Sequence, residues 1–145
     1  MIVIIKSKFN KDITNGLLFG CKKALIESKY QEDLLKIIEV PGVFEIPGTV
    51  QKLENKNYNA IICIGAIIKG ETDHYHYISD AVSNGIMNLS IYSKIPIIFG
   101  VLTCQNIDYA KKKSSRDLSK NKGYEVGKAT IEMIKVFNEN NLSWL

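Results

Sequence analysis

The stretch YNAIICIGAII, Tyr58 to Ile68, is apolar almost without a break after its first two residues. A strand with one wet face would alternate apolar and polar side chains. A continuous run of this kind fits a strand covered on both faces. IPIIFGVL, Ile95 to Leu102, reads the same way, as a second doubly buried strand. Two shorter runs, Ile2 to Lys6 and Leu35 to Val40, supply two more strands, the latter stopped by Pro41-Gly42.

Between these runs the apolar spacing changes to that of helices. From Lys11 to Ser28 the residues Ile13, Leu17, Leu18, Cys21, Leu25 and Ile26 recur on one helical face. Phe44 to Leu53 reads as a helix with Pro47 near its start, where proline is tolerated. Tyr77 to Tyr92, Asn106 to Lys113 and Lys122 to Asn140 complete the helices. No linker, repeat or low-complexity tract divides residues 1–145, so one domain is expected. Strands alternating with helices imply crossover connections. The expected fold is a three-layer α/β/α sandwich: a flavodoxin-like, four-stranded parallel sheet with helices on both faces.

Bulk properties narrow the function classes. At 46% hydrophobic and 23% charged, the composition is that of a soluble globular protein. No apolar run approaches the ~20 residues of a membrane helix, and MIVIIKSKF lacks the cleavage site of a signal peptide. Three unpaired, widely spaced cysteines, Cys21, Cys63 and Cys104, point to reduced thiols in the cytoplasm. The net charge of +4 comes almost wholly from lysine, with Arg116 the single arginine. Its densest run, KKKSSR from Lys111 to Arg116, fits a solvated helix end, so neither nucleic acid nor membrane is an expected partner.

In such sheets ligands sit beyond the carboxyl ends of the strands. The segments there are KSKFN, PGVFE, KGETDHYH and TCQN. Gly70-Glu71-Thr72 lies between a strand and a helix, where free backbone N–H groups can hold an anion; a plain threonine-capped turn would look alike. His74 is a candidate general acid or base, with an exposed cap residue as the alternative. A zinc site through His74 and His76 is disfavoured by their short spacing and the lack of a Cys/His set. Phe9 and Phe44 stand just past the first two strands, either to fill the core or to stack on a flat heterocycle. Lys122 opens the last helix.

Taken together, KFN (Lys8 to Asn10), VPGVFEIP (Val40 to Pro47), GAIIKGETDHYHYI (Gly65 to Ile78), PIIFGVLT (Pro96 to Thr103) and NKGYE (Asn121 to Glu125) resemble the 6,7-dimethyl-8-ribityllumazine synthase family. They appear in family order and cover almost the whole chain. The resemblance implies condensation of 5-amino-6-(D-ribitylamino)uracil with 3,4-dihydroxy-2-butanone 4-phosphate, the penultimate step of riboflavin biosynthesis, without metal or organic cofactor. It implies that Phe9 stacks on the pyrimidine and that Val43, Phe44 and Glu45 line the ribityl and ring pocket. Ala66, Ile67 and Ile68 would meet the ring edge, Gly70, Glu71 and Thr72 the phosphate, and His74 would transfer protons. Phe99 and Lys122 would come from a neighbouring subunit of a pentamer, or of a multiple of it, with sites between subunits.

The resemblance also implies an arginine that completes the phosphate clamp from that neighbour. Spacing from Asn106 lands on Lys113, whereas the only arginine is Arg116; of the two, Arg116 is preferred. Lys69 stands where arginine is common and His76 where aspartate is usual, which makes His76 a bystander. The chain opens at its first strand, which favours a pentamer or decamer over a larger capsid. A binding module of the same fold without turnover is the competing class.

Overall fold

The apolar runs pair into one parallel sheet in a computed structural model that describes residues 1–144. Its strands are β1 (Ile2–Ser7), β2 (Leu35–Val40), β3 (Ala60–Ile68) and β4 (Ile97–Cys104). Their order is β2-β1-β3-β4, all parallel. The helices are α1 (Lys11–Glu27), α2 (Ile46–Leu53), α3 (His74–Tyr92), α4 (Ile107–Lys113) and α5 (Lys122–Glu139). The expected α/β fold with a four-stranded parallel sheet is therefore the observed one.

Alternation along the strands divides the core into two layers. Ile2, Ile4, Ile62 and Ile64 pack with Leu17, Cys21, Leu25 and Val126 under α1 and α5. Val3, Ile5, Ile61 and Cys63 pack with Val50, Val82 and Ile86 under α2 and α3. Each fully buried isoleucine contributes about 1.5–3 kcal/mol of transfer free energy, which is why the two central strands carry so many. α1 and α5 approach backbone to backbone. A side chain at Gly123 would stand 1.9 Å from the Leu17 carbonyl oxygen, so only glycine fits that crossing. Cys21 and Cys63 are fully buried, and burial pushes both thiols up to about 12. Cys104 is raised by burial too. All three are free and stay protonated near neutral pH.

Four details differ from the sequence reading. α3 starts at His74 rather than Tyr77, with Asp73 as its N-cap. The segment from Phe44 is not helical at once: Val43–Glu45 forms a 3-10 turn, and α2 begins at Ile46 with Pro47 in its first turn. The strand at Ala60 starts two residues later than expected, and β1 and β4 run on to Ser7 and Cys104. Finally, β4 is an edge strand and is not buried on both faces, because Phe99 and Thr103 are exposed. Among the described residues no helix is long and apolar enough to cross a membrane.

Candidate active site

The carboxyl ends of β1 and β3 lie side by side at the centre of the sheet, and the loops leaving them are tied together. Beyond β1 the Lys8 N–H donates to the Val40 carbonyl at 2.8 Å and the Phe9 N–H to the Pro41 carbonyl at 3.1 Å. These bonds continue the β1–β2 ladder for two residues and fix Phe9 beside the Pro41–Val43 turn. Asn10 then takes a left-handed conformation, φ 59° and ψ 51°. Asparagine tolerates that region better than most residues. Its Nδ2 donates to the Ala66 carbonyl at 3.1 Å, joining the β1 loop to β3.

On the far side of β3, the Lys69 N–H donates to the Cys104 carbonyl at 2.9 Å, which anchors the following loop to β4. Among the described residues the N–H groups of Gly70, Glu71 and Thr72 donate to no backbone carbonyl. They stand directly before α3, so the loop presents free donors beside the positive end of a helix of 19 residues. Thr72 Oγ1 accepts from the His74 N–H at 3.3 Å, a local turn that holds the hydroxyl at the loop's inner edge.

Between these two loops is a cavity of about 220 Å³. Its walls include eight of the residues singled out from sequence: Phe9, Val43, Ala66, Ile67, Ile68, Gly70, Thr72 and His74. Its lining combines the apolar side chains of Phe9, Val43 and Ile67 with Gly70, Thr72 and His74. Phe9 is 70% exposed, and an open aromatic face at the mouth of a cavity suits a flat ring better than a core role would. Phe44 and Glu45, both exposed, follow Val43 in the 3-10 turn but do not line the cavity. Glu71 is exposed and does not line the cavity.

Sequence reasoning missed three lining residues, Asn10, Tyr75 and Ile78. Tyr75 and Ile78 follow from the earlier start of α3. With His74 in the first turn, residues 74, 75 and 78 share one face, and that face covers the cavity. His76 lies off it, edge-on to the Tyr75 ring at 5.1 Å. Among the described residues no three His, Cys, Asp or Glu side chains converge as a metal site would need.

The remaining candidates stand elsewhere. Phe99 opens onto a separate cavity of about 330 Å³ between β4 and α3, lined also by Ile86 and Met87. Lys113, in the last turn of α4, places its ammonium 5.3 Å from the Tyr109 ring centre. It lies near enough to the end of β4 to favour the Cys104 thiolate against the larger effect of burial. Arg116 is exposed and stacks its guanidinium 4.6 Å from the Phe19 ring centre on α1. Lys122 pairs with Glu125 at 3.1 Å. One copy of the chain does not bring these four to the Phe9–His74 cavity.

Comparison with known proteins bears on the chain as a whole. The family described as 6,7-dimethyl-8-ribityllumazine synthase matches residues 1–138. The 6,7-dimethyl-8-ribityllumazine synthase of Campylobacter jejuni subsp. jejuni serotype O:23/36 (strain 81-176) is 40% identical over 139 residues, 95% of this chain and 90% of that one. The enzyme of Campylobacter jejuni (strain RM1221) is similar to the same extent, 40% over 139 residues. With the sheet order, the cavity beyond its carboxyl ends and these likenesses in hand, the chain belongs to the 6,7-dimethyl-8-ribityllumazine synthase family.

Proposed function

We propose that the Phe9–His74 cavity is one half of a lumazine synthase active site, completed by a second copy of the chain. The reaction joins 5-amino-6-(D-ribitylamino)uracil to 3,4-dihydroxy-2-butanone 4-phosphate, giving 6,7-dimethyl-8-ribityllumazine, phosphate and water. The observation that carries the reading is the cavity itself. It gathers an exposed aromatic ring, an apolar wall, a loop of free N–H donors and a histidine within one space of about 220 Å³.

Each part has a chemical task. The Phe9 ring stacks on the pyrimidine while Val43, Phe44 and Glu45 receive the ribityl chain, the Glu45 carboxylate accepting its hydroxyl protons. Ala66, Ile67 and Ile68 meet the ring edge. The N–H groups of Gly70, Glu71 and Thr72 and the Thr72 hydroxyl hold the phosphate. The amine attacks the ketone and water leaves to form an imine; phosphate departs, leaving an enol that becomes a carbonyl; the ribitylamino nitrogen attacks that carbonyl, and a further water leaves as the ring closes. Every step moves a proton, and His74 stands beside the phosphate loop to carry it. Such acid–base help is typically worth ~10²–10⁴-fold, and holding two substrates in line supplies much of the rest.

From the neighbour, Phe99 covers the ring, Lys122 approaches the substrates, and Arg116 or Lys113 completes the phosphate clamp. Among the described residues each clamp candidate is held by a cation–π contact, Lys113 to Tyr109 and Arg116 to Phe19. Such contacts are worth ~0.5–1 kcal/mol at exposed sites, so the exposed Arg116 in particular is released at small cost. The assembly is a pentamer or a multiple of it. Support comes from the apolar side chains left exposed on α3 and β4: Tyr77, Met87, Ile91 and Phe99. The protein works in the cytoplasm, in keeping with its three free, buried cysteines.

The test mixes the two substrates with the protein and follows lumazine absorbance. Product formation is the expected result, and its absence at high protein concentration would sink the synthase reading. Light scattering on the same sample should give five subunits or a multiple; a monomer that still turns over would refute the shared site.

A further inference from the structure

Gly65 lies inside β3, buried on the face that carries α2 and α3. A Cβ built there would stand 2.4 Å from Val43 Cγ1, with Ser7 Oγ at 3.4 Å and Ile46 Cδ1 at 3.5 Å. Carbon atoms rest at about 3.5–4.0 Å from one another, so Val43 occupies the volume that an alanine methyl group would need. Valine is stiff at χ1, and this one is 9% exposed and packed in the same core layer as Ile46 and Ile67. At 2.4 Å something must shift, and Val43 stands on the Val43–Glu45 3-10 turn. Gly70, the other glycine at the site, contrasts with it: a Cβ there would meet nothing within 4 Å.

We infer that Gly65 is a positioning residue, whose missing side chain seats Val43, and with it the Val43–Glu45 turn, at the depth that shapes the pyrimidine and ribityl side of the cavity. The inference rests on the reading of that cavity as the substrate site. It divides the cavity into two independently held parts. The Val43 wall depends on the space over Gly65. The phosphate loop depends on the Lys69–Cys104 hydrogen bond and the start of α3. A methyl group at Gly65 pushes the first outward and leaves the second in place.

Steady-state kinetics of the assembled enzyme tests this. Gly65→Ala should raise KM for 5-amino-6-(D-ribitylamino)uracil about tenfold or more, with KM for the butanone phosphate held within about twofold. Val43→Ala removes the clashing Cγ1, so the double variant Gly65→Ala/Val43→Ala should show the pyrimidine KM of Val43→Ala alone. An unchanged pyrimidine KM in Gly65→Ala, or an equal rise in both KM values that the double variant does not relieve, overturns the inference. Should Gly65→Ala fail to fold, thermal melting of the double variant decides: recovered stability supports the Val43 contact, and a double variant that is equally unfolded rejects it. Phe9→Ala and His74→Ala run in parallel keep the two claims apart. If both leave turnover unaltered, the cavity reading itself fails. If both impair it while Gly65→Ala does not, only the positioning role falls.

Discussion

Phe9, in the loop beyond β1, and Phe99, on the edge strand β4, are both exposed phenylalanines, but they are held differently. Phe9 is fixed by two backbone hydrogen bonds that extend the β1–β2 ladder, and its own chain supplies His74 to the same cavity. Phe99 stands on the edge strand, over a groove shared with Ile86 and Met87, and among the described residues no loop lines that groove. The same contrast covers their companions. Val43, Ile67, Gly70, Thr72 and His74 converge, whereas Lys113, Arg116 and Lys122 each keep a separate partner: Tyr109, Phe19 and Glu125. A half-site built at the centre of a parallel sheet assembles itself, because adjacent strands must deliver their ends together. Residues around an edge strand have no such constraint. On the proposed reading they come into register when another copy docks against that edge.

The largest test of this contrast removes His74, the proposed proton carrier. His74→Ala should lower kcat by ~10²–10⁴-fold while light scattering shows the same particle as the parent. Unchanged kcat would take His74 out of the mechanism and leave the self-assembled half as a binding surface only.

A second test asks whether the halves lie in different chains. His74→Ala and the double variant Lys113→Ala/Arg116→Ala should each be poorly active alone. In a heterologous ring each interface joins two different patches. Random mixing of the two proteins should therefore restore roughly a quarter of the sites. No recovery after proven subunit exchange would mean that the site is made within one chain.

These tests also mark how far the sequence was readable. The strands were legible because IICIGAII and IPIIFGVL are too apolar to lie anywhere but in a covered sheet. Once the strands were placed, so were the four loops beyond them, and with them Phe9, Val43, Gly70 and His74. The start of α3 was not legible. Its first turn, His74 to Tyr77, lines the cavity with His74 and Tyr75, and the regular apolar period begins only at Ile78. Nor was the exposure of Phe99, since an apolar run reads as doubly buried whether its neighbour is the same chain or another. The choice between Lys113 and Arg116 was hidden for a third reason. The path from Ser114 to Asn121 is set by the buried Asn121, whose Nδ2 donates to the Gly16 carbonyl at 3.0 Å and the Ser115 carbonyl at 2.7 Å. That is a tertiary constraint to which residue counting is blind.

The clamp choice gives a smaller, sharper test. A charge-assisted hydrogen bond to phosphate is worth about 1.5–3 kcal/mol, so the true clamp, changed to alanine, should raise KM for the butanone phosphate about tenfold or more. The other change should stay within about twofold. Arg116→Lys adds a control: if the planar fork matters, lysine at 116 will not restore the KM. Equal, mild effects from Lys113→Ala and Arg116→Ala would mean that neither meets the phosphate.

The smallest expected effect lies within the self-assembled half and concerns pH. Lys6 is buried in β1, two residues before the Phe9 loop, and its ammonium lies 3.0 Å from Glu39 on the paired strand β2. The Lys6 ammonium beside it holds the Glu39 carboxyl below its ordinary value of 4.5. A carboxyl lowered in the folded state stabilises the fold above its unfolded pKa, and that stability is lost as pH falls through the folded value. The Tm of the parent should therefore drop as pH goes from about 5 toward 3. Glu39→Gln should lower Tm at neutral pH, since it leaves a buried ammonium without its counter-charge, and should flatten the acid slope. Part of the slope should survive, because Asp117 is also lowered, by hydrogen bonds from Ser119. A Glu39→Gln protein whose Tm tracks the parent at every pH would show that the Lys6–Glu39 pair does not hold the β1–β2 end together, and that the backbone ladder alone places Phe9.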